Sequence, residues 1–320
     1  SEEINEKLDT KSDIDTIFRR AQKVYNAWCK LPETERTTKN LLAQLDFDFF
    51  EVLDAVTIAR SRHHIQKYYD TRDIGNFPAR NKPISLYPKL TDKKDAINYK
   101  EVYECLSELR LTIYTPTQYI LPSKMKQYLS EEETENFRKG REAGIQRLMS
   151  INLLKRMESS VHSFLLTVQK VYQYLKDTDQ VIDSFIKNGA GSLKEMTDLS
   201  GASGEFDEDD QNTDFFSVGK KLQINLKDMD YISWQRDIEA DMETLSLLIS
   251  MVKDITPEYD YKLNQLFKVI REKEANPINP GNRKILIFTA FADTAEYLYE
   301  NLAPKAKKLG LHTALVTGSI

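Results

Sequence analysis

The segment 154–175, LKRMESSVHSFLLTVQKVYQYL, places apolar residues along one face of a helix. Four of them recur every seven positions, and three others follow three positions further on. The seven residues are Leu154, Val161, Val168 and Leu175, with Met157, Phe164 and Val171. A narrow apolar seam of this kind is typical of a helical bundle or a coiled-coil arm, so the pattern predicts one long helix.

A second seam follows after residue 231. Its members are Ile238, Leu245, Leu248, Val252 and Ile255. Two long helices packed antiparallel along their seams are the simplest arrangement that buries both sets of side chains. Between the seams, residues 188–230 are rich in glycine and contain the acidic run GEFDEDDQNTD. This composition predicts a flexible insert exposed to solvent.

Composition limits the class of protein. The chain has 320 residues, of which 40% are hydrophobic and 30% charged, and its net charge is −5. These values suit a large helix-rich protein and restrict any nucleic-acid contact to a local basic face. Cys29 and Cys105 are the only cysteines, which favours a reducing, cytoplasmic compartment. No apolar run approaches the ~18 residues that a membrane span needs, so no membrane partner is expected.

The rest of the chain contains further helical and extended patterns. Residues 4–70 have apolar positions at three-and-four spacing, which predicts helices, and prolines divide 71–100 into one or two short strands. Near residue 130, Ser130 and Glu133 fit a capping box. At the other end, ILIFTAFADTAEYLYENL (285–302) predicts a strand followed by a helix, and HTALVTGS (312–319) a second strand and a turn. A strand–helix–strand unit implies a parallel sheet.

Three short motifs are explained without catalysis. DEDD (207–210) lies among glycine, serine and asparagine residues, whereas an ATPase acidic box ends a buried strand. VGKK (218–221) lacks the upstream glycine and the Ser or Thr of a phosphate loop. His63 and His64 are adjacent, so on a helix they point in different directions, and no Cys or acid lies at ligand spacing. We expect no catalytic residue and no metal site in this chain.

Several segments, taken in order, resemble the Swi/Snf-type helicase-like ATPases of superfamily two, particularly the bacterial members. IARSRHHI is similar to the family's LRRTKKDV segment, with Arg60, Arg62 and Ile65 at the corresponding places. Ala59 and His63 depart from that pattern, where the family has an arginine and a lysine. FPARNKPISLYPKL follows with Pro78 at the place of the family's proline, and NYKEVYECL resembles the family's next helix, with Tyr103 as its tyrosine.

Two further segments carry the resemblance. INLLKRMESSVHSF (151–164) is similar to a segment that precedes the long helices in bacterial members. RKILIFTAFADTAEYL (283–298) resembles motif IV, the strand that opens the second RecA-like lobe of the family. HTALVTGS then resembles the following strand and turn, with Thr317 and Gly318 in the turn. No single motif is highly specific, so the resemblance depends on their order.

The resemblance implies a mainly α fold with a partial α/β part. A long-helix bundle would lie between two RecA-like lobes and would be followed by the first strand–helix–strand of the second lobe. The implied regions are 1–70, helical and following a first lobe; 71–125, short strands, turns and a helix; 126–187, long helices; 188–230, the acidic insert; 231–280, return helices; and 281–320, the start of the second lobe.

The family's catalytic motifs have no counterpart in these 320 residues: the P-loop, the DEAH-like box, motif V and the arginine-finger motif VI. The resemblance therefore implies the middle part of a larger motor that translocates on nucleic acid. It implies no cofactor in this part, with ATP and magnesium bound by the parent protein. The implied partners are nucleic acid, with duplex DNA expected, and a protein partner for the acidic insert.

The resemblance also gives candidate contacts to nucleic acid or between lobes. They are Arg60, Arg62, Lys155, Arg156, Thr289, Thr317 and Gly318. Each has a simpler structural interpretation as well. The four basic residues suit a solvated or structural role, and the others suit a strand end and a turn.

Two other classes of protein are compatible with parts of the sequence. A stand-alone helical scaffold, with the acidic insert docking a basic partner, would explain the net charge and the missing ATPase motifs. It would not explain an unfinished parallel sheet, whose exposed edge is an aggregation hazard. A metal-dependent nuclease built on the acidic run is the third interpretation, and the surroundings of that run argue against it.

The resemblance generates a prediction for Arg60 and Arg62. Replacing both by alanine is expected to weaken binding to duplex DNA and to flatten its salt dependence, by up to about 0.9 in slope per lost phosphate contact. Binding isotherms at several salt concentrations measure that slope. If the double variant keeps the slope of the unaltered protein, neither arginine contacts a phosphate.

Overall fold

The computed structural model of the protein describes residues 12–32, 34–57, 62, 65, 81–94, 96–128, 135–188 and 224–318. The chain divides into two compact units, Ser1–Ile84 and Ser85–Ile320. The described residues are mainly helical. Arg60 lies outside the described residues, and so do Ser130 and Glu133 of the predicted capping box. Most of the predicted insert, residues 189–223, also lies outside them.

The described part of the first unit contains α1 (Ile14–Trp28), α2 (Thr38–Leu42) and α3 (Phe47–Val56), and the separate described residues Arg62 and Ile65 are also helical. Asp13 begins α1, where its carboxylate accepts a hydrogen bond from the amide of Thr16 at 2.7 Å. Such a cap satisfies an amide that has no partner within the helix. Helices α1 and α3 pack through Phe18 and Phe49, whose rings are 5.9 Å apart and nearly perpendicular. Both helices therefore bury an apolar face against each other.

Six helices form the described part of the second unit. They are α4 (Tyr99–Glu108), α5 (Glu135–Ser159), α6 (Val161–Asn188), α7 (Tyr231–Val252), α8 (Tyr261–Ala275) and α9 (Ala292–Lys308). Short 3-10 turns connect α4 to α5 at Thr112–Tyr114, Pro116–Tyr119 and Met125–Gln127, and another precedes α7 at Leu226–Asp228. Helix α4 starts with a capping box formed by Asn98 and Glu101.

Helices α6 and α7 are the two long helices that carry the apolar seams. Phe185 near the end of α6 packs edge-on against Tyr231 at the start of α7, with ring centroids 5.3 Å apart. Gln235 reaches back to Asp179 and Asp183 on α6. The two helices therefore run antiparallel. All members of both seams are buried in one hydrophobic core, except Leu154, which is partly buried at its margin.

The first seam does not lie on a single helix, and this part of the prediction is wrong. The helical pattern stops at Ser160, which separates α5 from α6. The hydroxyl of Ser160 accepts a hydrogen bond from the amide of Ser163 at 3.0 Å and so caps the start of α6. Serine competes with the helical backbone for hydrogen bonds, which favours caps over helix interiors. The apolar spacing continues across the break because α5 and α6 pack against each other and contribute to one core.

The connection before the first 3-10 turn contains a left-handed leucine. Leu111 has φ 51° and ψ 44° and is fully buried. Asp241 on α7 accepts hydrogen bonds from the amides of Arg110 at 2.8 Å and Thr112 at 3.3 Å. Burial raises the pKa of the Asp241 carboxyl above its usual value, although these amides favour the ionised form. The carboxylate therefore holds a backbone conformation that a leucine rarely adopts.

Helices α8 and α9 form a smaller core of their own. Its buried members are Leu263, Ile270, Tyr297 and Leu302. Two segments that are neither helix nor strand, 282–289 and 311–317, flank α9 in the chain. Neither is paired into a strand ladder among the described residues, so the predicted α/β part is not confirmed. Leu286 and Phe288 remain 83% and 90% exposed, as expected for a segment without a neighbouring strand on which its side chains could pack.

The seam packing predicts a contrast between two leucines of α7. Leu245 has no exposed surface, whereas Leu247 is 50% exposed. Leu245→Ala is expected to lower the free energy of unfolding by about 2–5 kcal/mol, because it leaves a cavity between α6 and α7. Leu247→Ala is the matched control and should change it by less than about 0.5 kcal/mol. Urea unfolding followed by circular dichroism measures both, and equal losses would contradict the described packing.

Candidate functional site

The break at Ser160 lies against the beginning of α9, and the polar contacts there form the candidate site. We call this region the α6–α9 junction. From the end of α5 and the first turn of α6 it contains Arg156, Ser159, Ser160, His162 and Ser163. From the start of α9 and the residues before it, it contains Thr289, Phe291, Asp293, Thr294 and Tyr297.

Arg156 is the central side chain of the junction. It is only 2% exposed, and its Nη1 lies 2.8 Å from Oδ2 of Asp293 and 3.2 Å from the hydroxyl of Ser163. Its guanidinium carbon also lies 4.5 Å from the centre of the Phe291 ring. A buried guanidinium requires a counter-ion, since an unpaired charge in the protein interior costs several kcal/mol. Asp293 supplies that charge.

Asp293 occupies a favourable position for this role. It lies in the first turn of α9, where the backbone amides and the helix dipole stabilise a negative charge. Its side chain is 27% exposed, so its carboxylate keeps contact with water while it pairs with Arg156. The two partners of the ion pair therefore differ in exposure: Arg156 is buried, and Asp293 is partly solvated.

A cluster of hydroxyl groups extends the contact. The hydroxyl of Thr294, a buried residue, lies 2.8 Å from that of Ser159 and 2.9 Å from that of Ser160. The hydroxyl of Ser159 also lies 3.2 Å from that of Thr289. Because a hydroxyl both donates and accepts, these groups can satisfy one another in a chain. The cluster joins the helix break to Thr289, just before α9, and to Thr294 in the first turn of α9.

A stacked pair of rings forms the other side of the junction. His162 lies parallel to Tyr297, with ring centroids 4.8 Å apart. The hydroxyl of Tyr297 donates a hydrogen bond to Asp260, which caps α8. Burial, together with the neighbouring Asp260 carboxylate, raises the pKa of Tyr297 above its usual value. Tyr297 therefore remains a neutral hydrogen-bond donor at physiological pH.

Lys262 adds a contact between α8 and the end of α5. Its ammonium group donates a hydrogen bond to the backbone carbonyl of Glu158. Burial lowers the pKa of Lys262, although Asp260 and Glu158 oppose that shift. Cations near the last carbonyl groups of a helix are favourable, and this one satisfies a carbonyl at the end of α5.

The junction connects two hydrophobic cores by polar contacts. The larger core belongs to α4–α7 and the connections around them, and the smaller one to α8 and α9. Ion pairs and hydroxyl contacts are directional, so they fix one arrangement of the two cores. They also lose less than an apolar contact when water replaces them, because water forms hydrogen bonds with the separated groups. The junction can therefore position the α8–α9 pair against the helical bundle.

The structure brings together two of the seven candidate residues. Arg156 and Thr289 are both at the junction, and the burial of Arg156 leaves its guanidinium without access to a phosphate in this conformation. Lys155 is exposed, next to Arg156 in the chain. Thr317 is the last residue of the segment 311–317 and is half-buried, and Gly318 follows it and is exposed.

Arg62 is an exposed helical residue of the first unit. Arg60 lies outside the described residues. The segments that resemble the family contain the other junction residues, but Ser159, Asp293 and Tyr297 were not among the candidate contacts predicted from the sequence. Their roles depend on a contact between residues about 130 positions apart, which spacing within either segment does not reveal.

The described residues show no other arrangement with the features of a reactive site. No group of three or more His, Cys, Asp or Glu side chains within the described ranges is placed to hold a metal ion. Among the helices that the structure describes, none has the length and apolar character to cross a membrane.

Comparison with known proteins adds no relative. Neither the protein-family models nor the curated proteins nor the solved structures give a match to this chain. The resemblance of short segments therefore remains the basis for an interpretation of function.

The burial of Arg156 predicts the result of a mutant cycle. Asp293→Asn removes the charge that lies 2.8 Å from the buried guanidinium and is expected to lower the free energy of unfolding by about 3 kcal/mol. Adding Arg156→Met, which retains much of the side-chain volume but removes the charge, should restore most of that loss. Urea unfolding of both single variants and the double variant gives the coupling energy.

Lys155→Met is the matched control for this cycle, since Lys155 adjoins Arg156 but is exposed. It should change the free energy of unfolding by less than about 0.5 kcal/mol. Additive effects of the Arg156 and Asp293 substitutions would contradict the buried ion pair.

Proposed function

We propose that this chain is the helical region between the two lobes of an ATP-dependent nucleic-acid translocase of the Swi/Snf-like class, with no catalytic activity of its own. One observation supports the proposal above the others. The segments 151–164 and 283–298 were selected from the sequence because each resembles the same family, and Arg156 pairs with Asp293 across them at 2.8 Å. Two segments that resembled the family only by chance would not be expected to contact each other.

The geometry of the junction suits this role. A translocase moves by opening and closing two lobes, and the chain between the lobes must transmit that movement. In the proposal, the α4–α7 core is the rigid body between the lobes and α8 and α9 lead into the second lobe. The junction would then set the orientation of the second lobe relative to the bundle.

The two exposed segments that flank α9 support the part of the proposal that concerns the second lobe. Ile285 is partly buried against the α8–α9 core, whereas Leu286 and Phe288 are mostly exposed. Val316 in the other segment is 77% exposed. Strands of a parallel sheet are apolar because helices cover both faces. We propose that 284–289 and 312–316 are the first two strands of a RecA-like sheet around α9.

The proposed contacts divide into two sets. Arg156 and Thr289 act between the bundle and α9. Lys155, Thr317 and Gly318 are candidates for contact with the nucleic-acid backbone, together with Arg60 and Arg62. ATP and magnesium would be bound by the two lobes of the parent protein, where an arginine stabilises the charge that develops on the transferred phosphate.

The experiment that tests the proposal begins with the gene. The complete open reading frame is expressed and its ATP hydrolysis is measured with and without duplex DNA. We expect hydrolysis that DNA stimulates, a P-loop and an arginine-finger motif in the encoded protein, and a smaller stimulation in Asp293→Asn than in Asp183→Asn, which changes an exposed aspartate of α6 outside the junction. A reading frame that encodes neither motif and shows no hydrolysis would overturn the proposal in favour of a helical scaffold.

A further inference from the structure

We propose that the basic face of α1 binds the phosphate backbone of a nucleic acid. This site lies in the first unit and is distinct from the junction and from the seven residues that the sequence resemblance suggested. The inference rests on the proposed function for the identity of the partner. The site itself is argued from the charges, the exposure and the packing of α1.

The charge of α1 contrasts with that of the chain. Residues 19–30, RRAQKVYNAWCK, contain four basic residues and no acidic residue, whereas the net charge of the whole chain is −5. The other long helix of the same unit, α3, has the sequence FDFFEVLDAV and carries only acidic charges. The acidic residues of α1, Asp13 at its N-cap and Asp15 in its first turn, precede this basic stretch. A local concentration of positive charge in an acidic protein indicates attraction to a polyanion.

Three of the four basic side chains line one side of this region. Arg19 and Lys23, four residues apart, lie on the same side of α1, and Lys30 follows in the turn just after the helix. Together with Gln22, Asn26 and Ala27 they line one open groove. All six residues of this groove are exposed. We call them the α1 basic face.

Arg20, the fourth basic residue, has an ion-pair partner, which the other three do not have among the described residues. Arg20 points to another side of the helix and lies 3.5 Å from the carboxylate of Asp46. Arg19, Lys23 and Lys30 have no carboxylate within ion-pair distance in the part of the chain that the structure describes. Their charges are therefore available to a ligand, and the ligand that they favour is an anion.

The dimensions of the face favour an extended anion. Arg19 and Lys23 are about 6 Å apart along the helix axis at 1.5 Å per residue, and Lys30 lies past the end of the helix in the same groove. Duplex DNA carries one phosphate charge per ~1.7 Å of its axis, so several phosphates lie within reach of three long side chains. Gln22 donates a hydrogen bond to Asn26 at 2.9 Å, and the Asn26 amide group can itself donate to a phosphate oxygen. A single small anion could not occupy all three cations.

The opposite side of α1 determines which polyanion fits. Ile17 is buried, Phe18 packs on Phe49, and the indole of Trp28 donates a hydrogen bond to the carbonyl of Thr37 at 3.1 Å. An amphipathic helix that binds a membrane inserts its apolar side into the lipid. In α1 that side is partly packed within the unit, with Ile17 buried and Phe18 still 48% exposed. A nucleic acid, which needs only the polar face, is therefore favoured over an anionic membrane.

The test compares two triple variants of the full chain. Arg19→Gln, Lys23→Gln and Lys30→Gln together remove the charges of the α1 basic face. The control variant carries Lys176→Gln, Lys187→Gln and Lys253→Gln, which removes three exposed charges from the second unit. Both variants lose the same net charge, so a difference between them reports position and not overall charge. Circular dichroism verifies that both are folded.

Binding to a short fluorescein-labelled duplex DNA is measured by anisotropy across a range of salt concentrations. If the three cations each contact a phosphate, the face variant should reduce the slope of log affinity against log salt by ~2.7, which corresponds to roughly a 500-fold loss of affinity at ~0.1 M salt. The control variant should retain the slope of the unaltered protein. A single-stranded RNA probe of equal length, measured alongside, identifies which nucleic acid the face prefers.

Several results would overturn the inference. They are an unchanged slope in the face variant, an equal change in both variants, and the absence of DNA and RNA binding by the unaltered protein. A fourth is face-dependent binding to phosphatidylserine vesicles with none to nucleic acid, which would identify a membrane site. Loss of the inference alone leaves DNA-stimulated ATP hydrolysis by the parent protein intact, so the two proposals can fail separately.

Discussion

The packing of α6 against α7 is the contact on which the rest of the second unit depends. Each helix presents one apolar stripe, and neither stripe could remain in water without a large loss of free energy. Antiparallel packing buries both stripes in one core. The same α7 carries Asp241, which holds the unusual backbone of Leu111, so the course of the chain between α4 and α5 also depends on this helix. The break at Ser160, at the opposite end of α6 from Tyr231, then faces α9.

The junction differs in kind from that core. Apolar packing holds α6 and α7 together over many turns, whereas an ion pair, hydroxyl contacts and one stacked pair of rings connect α6 to α9. Non-directional burial stabilises a body, and directional polar contacts select one orientation between two bodies. A protein that must change the relative orientation of two parts would use the second type of contact between them. This difference is the physical basis for assigning the junction a mechanical role rather than a chemical one.

The first unit adds a separate element to this picture. Its α1 has an apolar side that packs on α3 and a basic side whose cations Arg19, Lys23 and Lys30 form no ion pair with a described carboxylate. The net charge of the whole chain, −5, gives no indication of that face, because a negative net charge suggests no affinity for nucleic acid. Net charge describes the long-range field, but a phosphate backbone at contact distance responds to the few cations beside it. The proposed motor would thus contact nucleic acid through a region outside its family-like segments.

The helices and their apolar faces follow from the amino-acid sequence, because a period near 3.6 residues is a local property that short stretches of chain reveal. The sequence therefore predicted both seams and their antiparallel pairing. It did not predict the break at Ser160, since the apolar spacing continues across two helices that share one core. Nor did it predict that 282–289 forms no strand among the described residues, because a strand forms only with a partner strand. The ion pair of Arg156 with Asp293 was decided by tertiary structure alone: the two residues are 137 positions apart, and neither segment contains a sign of the other. The charge separation in α1 was present in the sequence, but only the structure, by pairing Arg20 with Asp46 and exposing the other three cations, distinguished a binding face from an ordinary solvated helix.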